Sequence, residues 1–149
     1  MYKRQTLSLA PAIATASSFG SAAGKGRTGM VDARDVAAVA AVIAVSPVPH
    51  AGKTYWLTGP ELLSNYDVAR VLSKLLGRTI IYTELSFEEN RDAMIRAGVP
   101  APIAEMNAQA FSLAADGDAE WVTEDVPSLL GRPARSFEQF AEDYAAAFS

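Results

Sequence analysis

Residues 30–45 read MVDARDVAAVAAVIAV. A helix written with alanine and valine on nearly every side has no polar face for water, so it is expected to lie buried between two layers. Asp32 stands at the N-cap position and Asp35 three residues on, an acidic variant of the capping box. The helix is expected over residues 33–45, ended by the prolines of SPVPHAG. Arg34 then pairs with a nearby carboxylate, or the Asp32, Arg34 and Asp35 cluster lines a ligand cleft.

A helix of that kind needs sheet on at least one side, and the chain offers little. KTYWLTG and TIIYTEL are the two substantial strand candidates, rich in β-branched and aromatic residues. Met30 and Val31 read as a short strand, and EWVT as another. Helices are plentiful. Thr6 to Thr15 reads as a short helix bent by Pro11. Ser64 and Asp67 cap a helix with the apolar stripe Val68, Val71, Leu72, Leu75 and Leu76, which Gly77 ends. Ser86 and Glu89 form a capping box before a helix stopped by Gly98. Pro102 opens another helix, running to about Ala115. Ser136 and Gln139 cap the last, with Phe137, Phe140, Tyr144 and Phe148 on one face. Strand–helix alternation indicates an α/β protein, yet there is too little sheet for these apolar faces to cover. That mismatch points to a missing partner layer.

Composition narrows the chemistry. Half of the 149 residues are apolar, a fifth are charged, and the net charge is −4. That is the balance of a globular chain, with no basic face for nucleic acid. The chain has no cysteine and one histidine, His50, which excludes thiolate chemistry, disulfides and multi-histidine metal sites. No apolar run is long enough to span a membrane, and a cytoplasmic location is expected.

Three motifs invite a functional reading. GKGRTG, residues 24–29, is a literal G-x-G-x-x-G. It follows SSFGSAA, read as loop, and precedes MVD in place of a helix, so it reads as a connecting loop. AGKT, residues 51–54, precedes a strand and has Pro47 where a phosphate-binding loop needs glycine. His50 lies in a Pro/Gly loop with no G-x-S-x-G elbow in the chain. Phe19, Met94, Met106 and Phe111 are candidates for an apolar substrate pocket, against the plainer reading that they are core. No tyrosine has lysine four residues on.

GKGRTGMVDARDVAAVAAVI, GKTYWLTGPELLSNYDVARVLSKLLGRTIIYTELS and LLGRPARSFEQFAEDYAAAF, taken in that order, resemble the second half of an NmrA-like, atypical short-chain dehydrogenase/reductase. The family includes NAD(P)H:quinone-reductase-like proteins. The resemblance covers roughly residues 6–149. It implies an incomplete Rossmann-like α/β fold: a mostly helical substrate lobe with a few short strands. The glycine-rich loop for NADP or NAD is then expected in an N-terminal half upstream, with no cofactor bound by this chain alone. It also implies that TYWLTG is an outer strand of the missing sheet and that MVD pairs with IIYTEL. Residues 86–149 become the lobe over a small-molecule substrate. Two activities are open under this resemblance: hydride transfer to a quinone-like acceptor, or an NAD(P)-binding redox-sensing regulator without turnover. A stand-alone helical binding module is the third alternative.

The first five residues, MYKRQ, also match the codons GTG TAT AAG AGA CAG of a transposase adapter used in sequencing libraries. Residues 1–5 are therefore expected to be a non-native adapter scar on an incomplete, metagenomic gene, with a native basic start as the alternative.

Overall fold

The computed structural model describes residues 3–149; Met1 and Tyr2 of the expected adapter segment lie outside them. A 3-10 segment, Lys3–Leu9, leads into α1 (Ala10–Ala16). Pro11 falls in the first turn of α1, where its missing N–H costs nothing, so the proline starts the helix and does not bend it. Ser17 ends α1 in the left-handed region, with φ 51°. Arg78 holds it there: its guanidinium donates to Ser17 Oγ at 2.6 Å, to the Ala14 carbonyl, and to the Phe148 carbonyl at 2.9 Å.

SSFGSAA contains a strand. β1 (Ser18–Ser21) pairs in parallel with β4 (Ile81–Glu84), Phe19 opposite Tyr82. Glycine and serine hid it from a propensity reading, but Phe19 and Ser21 point inward and the pairing buries them. β4 is therefore partnered by 18–21 and not by MVD, where Val31 makes only an isolated bridge. β2 (Arg27–Thr28) pairs antiparallel with β3 (Leu63–Ser64).

Among the described residues, 53–59 form no strand ladder, and 120–123 form none either. A strand exists only with a partner. The two segments instead meet through side chains: Thr123 N–H donates to Thr58 Oγ1 at 2.9 Å, and Thr123 Oγ1 to the Trp56 carbonyl.

The helices are α2 (Ala33–Val45), α3 (Asn65–Leu76), α4 (Phe87–Arg96), α5 (Ala101–Ala115), α6 (Asp125–Leu130), α7 (Phe137–Asp143) and α8 (Ala145–Phe148). Reciprocal capping boxes open α3, α4 and α7, at Ser64 with Asp67, Ser86 with Glu89, and Ser136 with Gln139. Gly77, with φ 63°, closes α3. Tyr144 interrupts the last helical stretch, yet Phe137, Phe140 and Phe148 all reach the core. That core gathers Ile13, Phe19, Val68, Leu72, Ile80 and Tyr82 around the three phenylalanines. α4 packs along α5 as a separate helical pair.

α2 departs most from expectation. Only Asp35 and Val39 of its residues are buried. Ala37, Ala40, Ala41, Val42, Ala44 and Val45 face solvent. One side packs on α6; no described residue covers the other.

Candidate functional site

The N-terminus of α2 anchors a charged hub. Asp32 is the N-cap, accepting from Arg34 N–H at 2.8 Å and from the Arg34 guanidinium at 2.7 Å. Arg34 also reaches Asp143 at 2.6 Å and lies over the Tyr144 ring. Asp35 does not close a capping box. Its carboxylate, fully buried, turns to the 131–136 arm. It accepts from Arg132 at 2.7 Å, from Arg135 N–H at 2.8 Å, and from the Arg135 guanidinium. Two guanidinium groups and a backbone donor outcompete one N-cap N–H for a single carboxylate. Burial alone pulls Asp35 up, but Arg135 and Arg132 together hold it below the usual carboxylate range. Asp32 is held down by Arg34 against the same burial.

Lys3 enters the same hub. Its ammonium donates to the Met30 carbonyl and, at 2.8 Å, to the Arg135 carbonyl. Burial lowers its pKa to about 8, opposed by the charges of Asp32, Asp35 and Glu61. Glu61 in turn accepts from Phe137 N–H at 3.3 Å. The arm is thus tied to α2 on one side and to the 59–61 turn on the other. Between these walls runs a cleft of about 230 Å³, bounded by Gly59, Pro60, Thr123, Glu124, Pro133 and Ala134.

Beside the cleft lies an apolar face. Trp56 is 61% exposed and meets Trp121 edge-on, ring centroids 5.5 Å apart. Val45 and Val48 are 86% and 85% exposed. Trp56 N–H is held by Asp125 at 2.6 Å. Ala37, Ala40, Ala41 and Ala44 of α2 are exposed as well.

The residues singled out as pocket candidates do not gather in one place. Phe19 lies in the core against the Tyr82 ring. Met94 and Phe111 are half-buried on α4 and α5, and Met106 is 60% exposed on α5. Gly24 and Gly26 of the G-x-G-x-x-G sit between β1 and β2 and Gly29 directly follows β2, and two of the three serve close packing. A Cβ on Gly26 would fall 1.9 Å from the Ala114 carbonyl oxygen, and one on Gly29 2.6 Å from that of Trp121. The loop leads into β2 and not into a helix N-terminus, so these residues do not fit a dinucleotide. His50 Nδ1 bonds the Tyr55 hydroxyl at 2.7 Å.

Sequence reasoning missed two polar features. The arginine pair of GRPAR is the counterpart of Asp35, and the only signal was a buried-helix aspartate with two arginines elsewhere. The second feature is Asn90 on α4, 4% exposed, whose Nδ2 has no hydrogen-bond partner among the described residues. Among the described residues, no group of three or more acidic or histidine side chains could hold a metal ion, and no helix is long and apolar enough to cross a membrane.

No family model matches the chain. Individual proteins do. An NAD(P)H azoreductase from Xenophilus azovorans is 37% identical over 147 residues, which is 99% of this chain and 51% of the azoreductase. A (4-alkanoyl-5-oxo-2,5-dihydrofuran-3-yl)methyl phosphate reductase from Streptomyces griseus is 36% identical over 99% of this chain and 52% of its own length. An NADPH-dependent quinone oxidoreductase from Escherichia coli superposes with TM-score 0.89 at 28% identity, over 97% of this chain and 52% of that one.

The chain corresponds to the C-terminal half of the NmrA-like reductases. Its mostly helical α/β fold is that half's. The NmrA-like match also holds for a Citrobacter triphenylmethane reductase complexed with NADP(H), with TM-score 0.86 at 25% identity over 96% of this chain and 50% of that chain. The chain spans about half the length of the curated relatives it matches.

Proposed function

We infer that this chain is the acceptor-side half of an NAD(P)H-dependent oxidoreductase, passing hydride to a quinone-like or other small apolar acceptor. The observation that carries the reading is similarity, over nearly all of this chain and about half of each relative, to proteins named as azoreductase, quinone oxidoreductase and triphenylmethane reductase. The chain's own chemistry agrees. It has no cysteine and one histidine, which is occupied by Tyr55, so nucleophilic or metal catalysis has little to work with. Hydride transfer asks mainly that two planar partners be held in contact with water excluded.

NADP or NAD is assigned to the other half, since the glycine loop present here does not fit a dinucleotide, and this chain alone is inactive. In this reading the hub of Asp32, Arg34 and Asp35 is structural. Met94, Met106 and Phe111 are kept as separate candidates for contact with the acceptor, on α4 and α5.

The test is steady-state NADPH oxidation with a soluble quinone, using this chain fused behind the first half of the Xenophilus azoreductase. Turnover that depends on the quinone supports the reductase. NADPH binding without turnover towards quinones or dyes gives the redox-sensing regulator instead.

A further inference from the structure

We propose that the pocket beside Gly59, which the Lys3 ammonium fills, is a binding site for a small monovalent cation, an ammonium group or an alkali ion of similar size. The proposal is independent of the reductase reading, since it uses no residue assigned to the acceptor.

Three observations build the site. The first is the occupant. Lysine seldom leaves water, yet Lys3 is 1% exposed. An ammonium has three donors and no acceptor, and here it meets the backbone carbonyls of Met30 and Arg135. Carbonyl oxygens replace the water shell of an alkali cation in the same way. The second is the room. A Cβ on Gly59 would fall 2.1 Å from the Met30 carbonyl oxygen and 2.9 Å from Lys3 Nζ, so the pocket is open because residue 59 is glycine. The third is the field. Asp32, Asp35 and Glu61 each favour a positive charge at this point, against burial and Arg34. Asp32 and Asp35 are already paired with arginines, so they act on the cation at a distance and the carbonyls are its ligands.

Met30, Gly59, Glu61 and Arg135 all lie outside residues 1–5. The pocket thus belongs to the body of the chain, and Lys3 is a tethered occupant. Met30 leads into the α2 cap, Arg135 lies on the 131–136 arm, and Gly59 opens the 59–61 turn. A cation held here ties together the walls of the 230 Å³ cleft between Gly59, Pro60, Pro133 and Ala134.

The test uses two variants of the 149-residue chain. Lys3→Ala empties the pocket, and Lys3→Met fills it with an uncharged side chain. Each is melted in potassium chloride, methylammonium chloride and choline chloride at equal ionic strength, choline being too large to enter. Lys3→Ala should melt about 3 °C or more higher in potassium or methylammonium than in choline. The unchanged chain and Lys3→Met should melt alike in all three salts. If Lys3→Ala does not fold in choline, recovery of helical circular dichroism on dilution from urea into each salt gives the same comparison. Either ion acting supports the site: methylammonium alone makes the occupant an amine, and potassium as well makes it a bare cation. No advantage over choline in either readout would overturn the proposal. So would an equal advantage in the unchanged chain, whose pocket is already filled.

Discussion

Asp35 joins three parts of the chain through a single carboxylate: α2, Arg132 and Arg135. It is fully buried, while its guanidinium partners are about one-third exposed. Because Arg135 and Arg132 depress its folded pKa, its contribution to stability is complete above the ordinary carboxylate range and is lost as pH falls through the lower folded value. Asp35→Asn should therefore cost about 3 kcal/mol at neutral pH and flatten the acid side of the stability curve. Urea unfolding across an acid-to-neutral pH series reads both effects. An unchanged midpoint at neutral pH would show the hub to be ornamental. From sequence, Asp35 read as a second cap, because spacing three from Asp32 fits a capping box. Local spacing could not reveal a partner about a hundred residues away.

The elements were legible where a local signal sufficed. α2 and α3 fall where alanine and valine periodicity, Ser64 and Gly77 place them, since caps and stripes act within one helix. Ser64→Ala should destabilise the chain by about 1 kcal/mol, with Ser64→Asp recovering most of it; chemical denaturation of both variants checks this. Asp67 sharpens the expectation, because its carboxylate returns to Ser64 N–H at 3.0 Å. Strands were less legible. β1 was hidden by glycine and serine and is defined by β4, some sixty residues on. KTYWLTG has every strand propensity and no strand partner, so propensity alone overstates it. The glycine motif was read against a context of which one part failed, because the preceding SSFGSAA holds β1; Gly26 and Gly29 are small because the Ala114 and Trp121 carbonyls come close.

At the scale of the whole molecule, the mismatch between helices and sheet was visible in the sequence, and the structure locates it on one face. α2 is apolar all round and covered on one side. Trp56, Val45 and Val48 stand in solvent beside it. The pocket candidates were not legible in the same way, because Phe19 and Met106 carry the same apolar signal and end in opposite environments, core and surface. In the proposed reading, this half positions an acceptor against a cofactor it does not itself hold. Calorimetric titration of NADPH into the purified 149-residue chain tests it most directly. The account predicts no saturable heat at micromolar NADPH; stoichiometric, micromolar binding by the chain alone would contradict it.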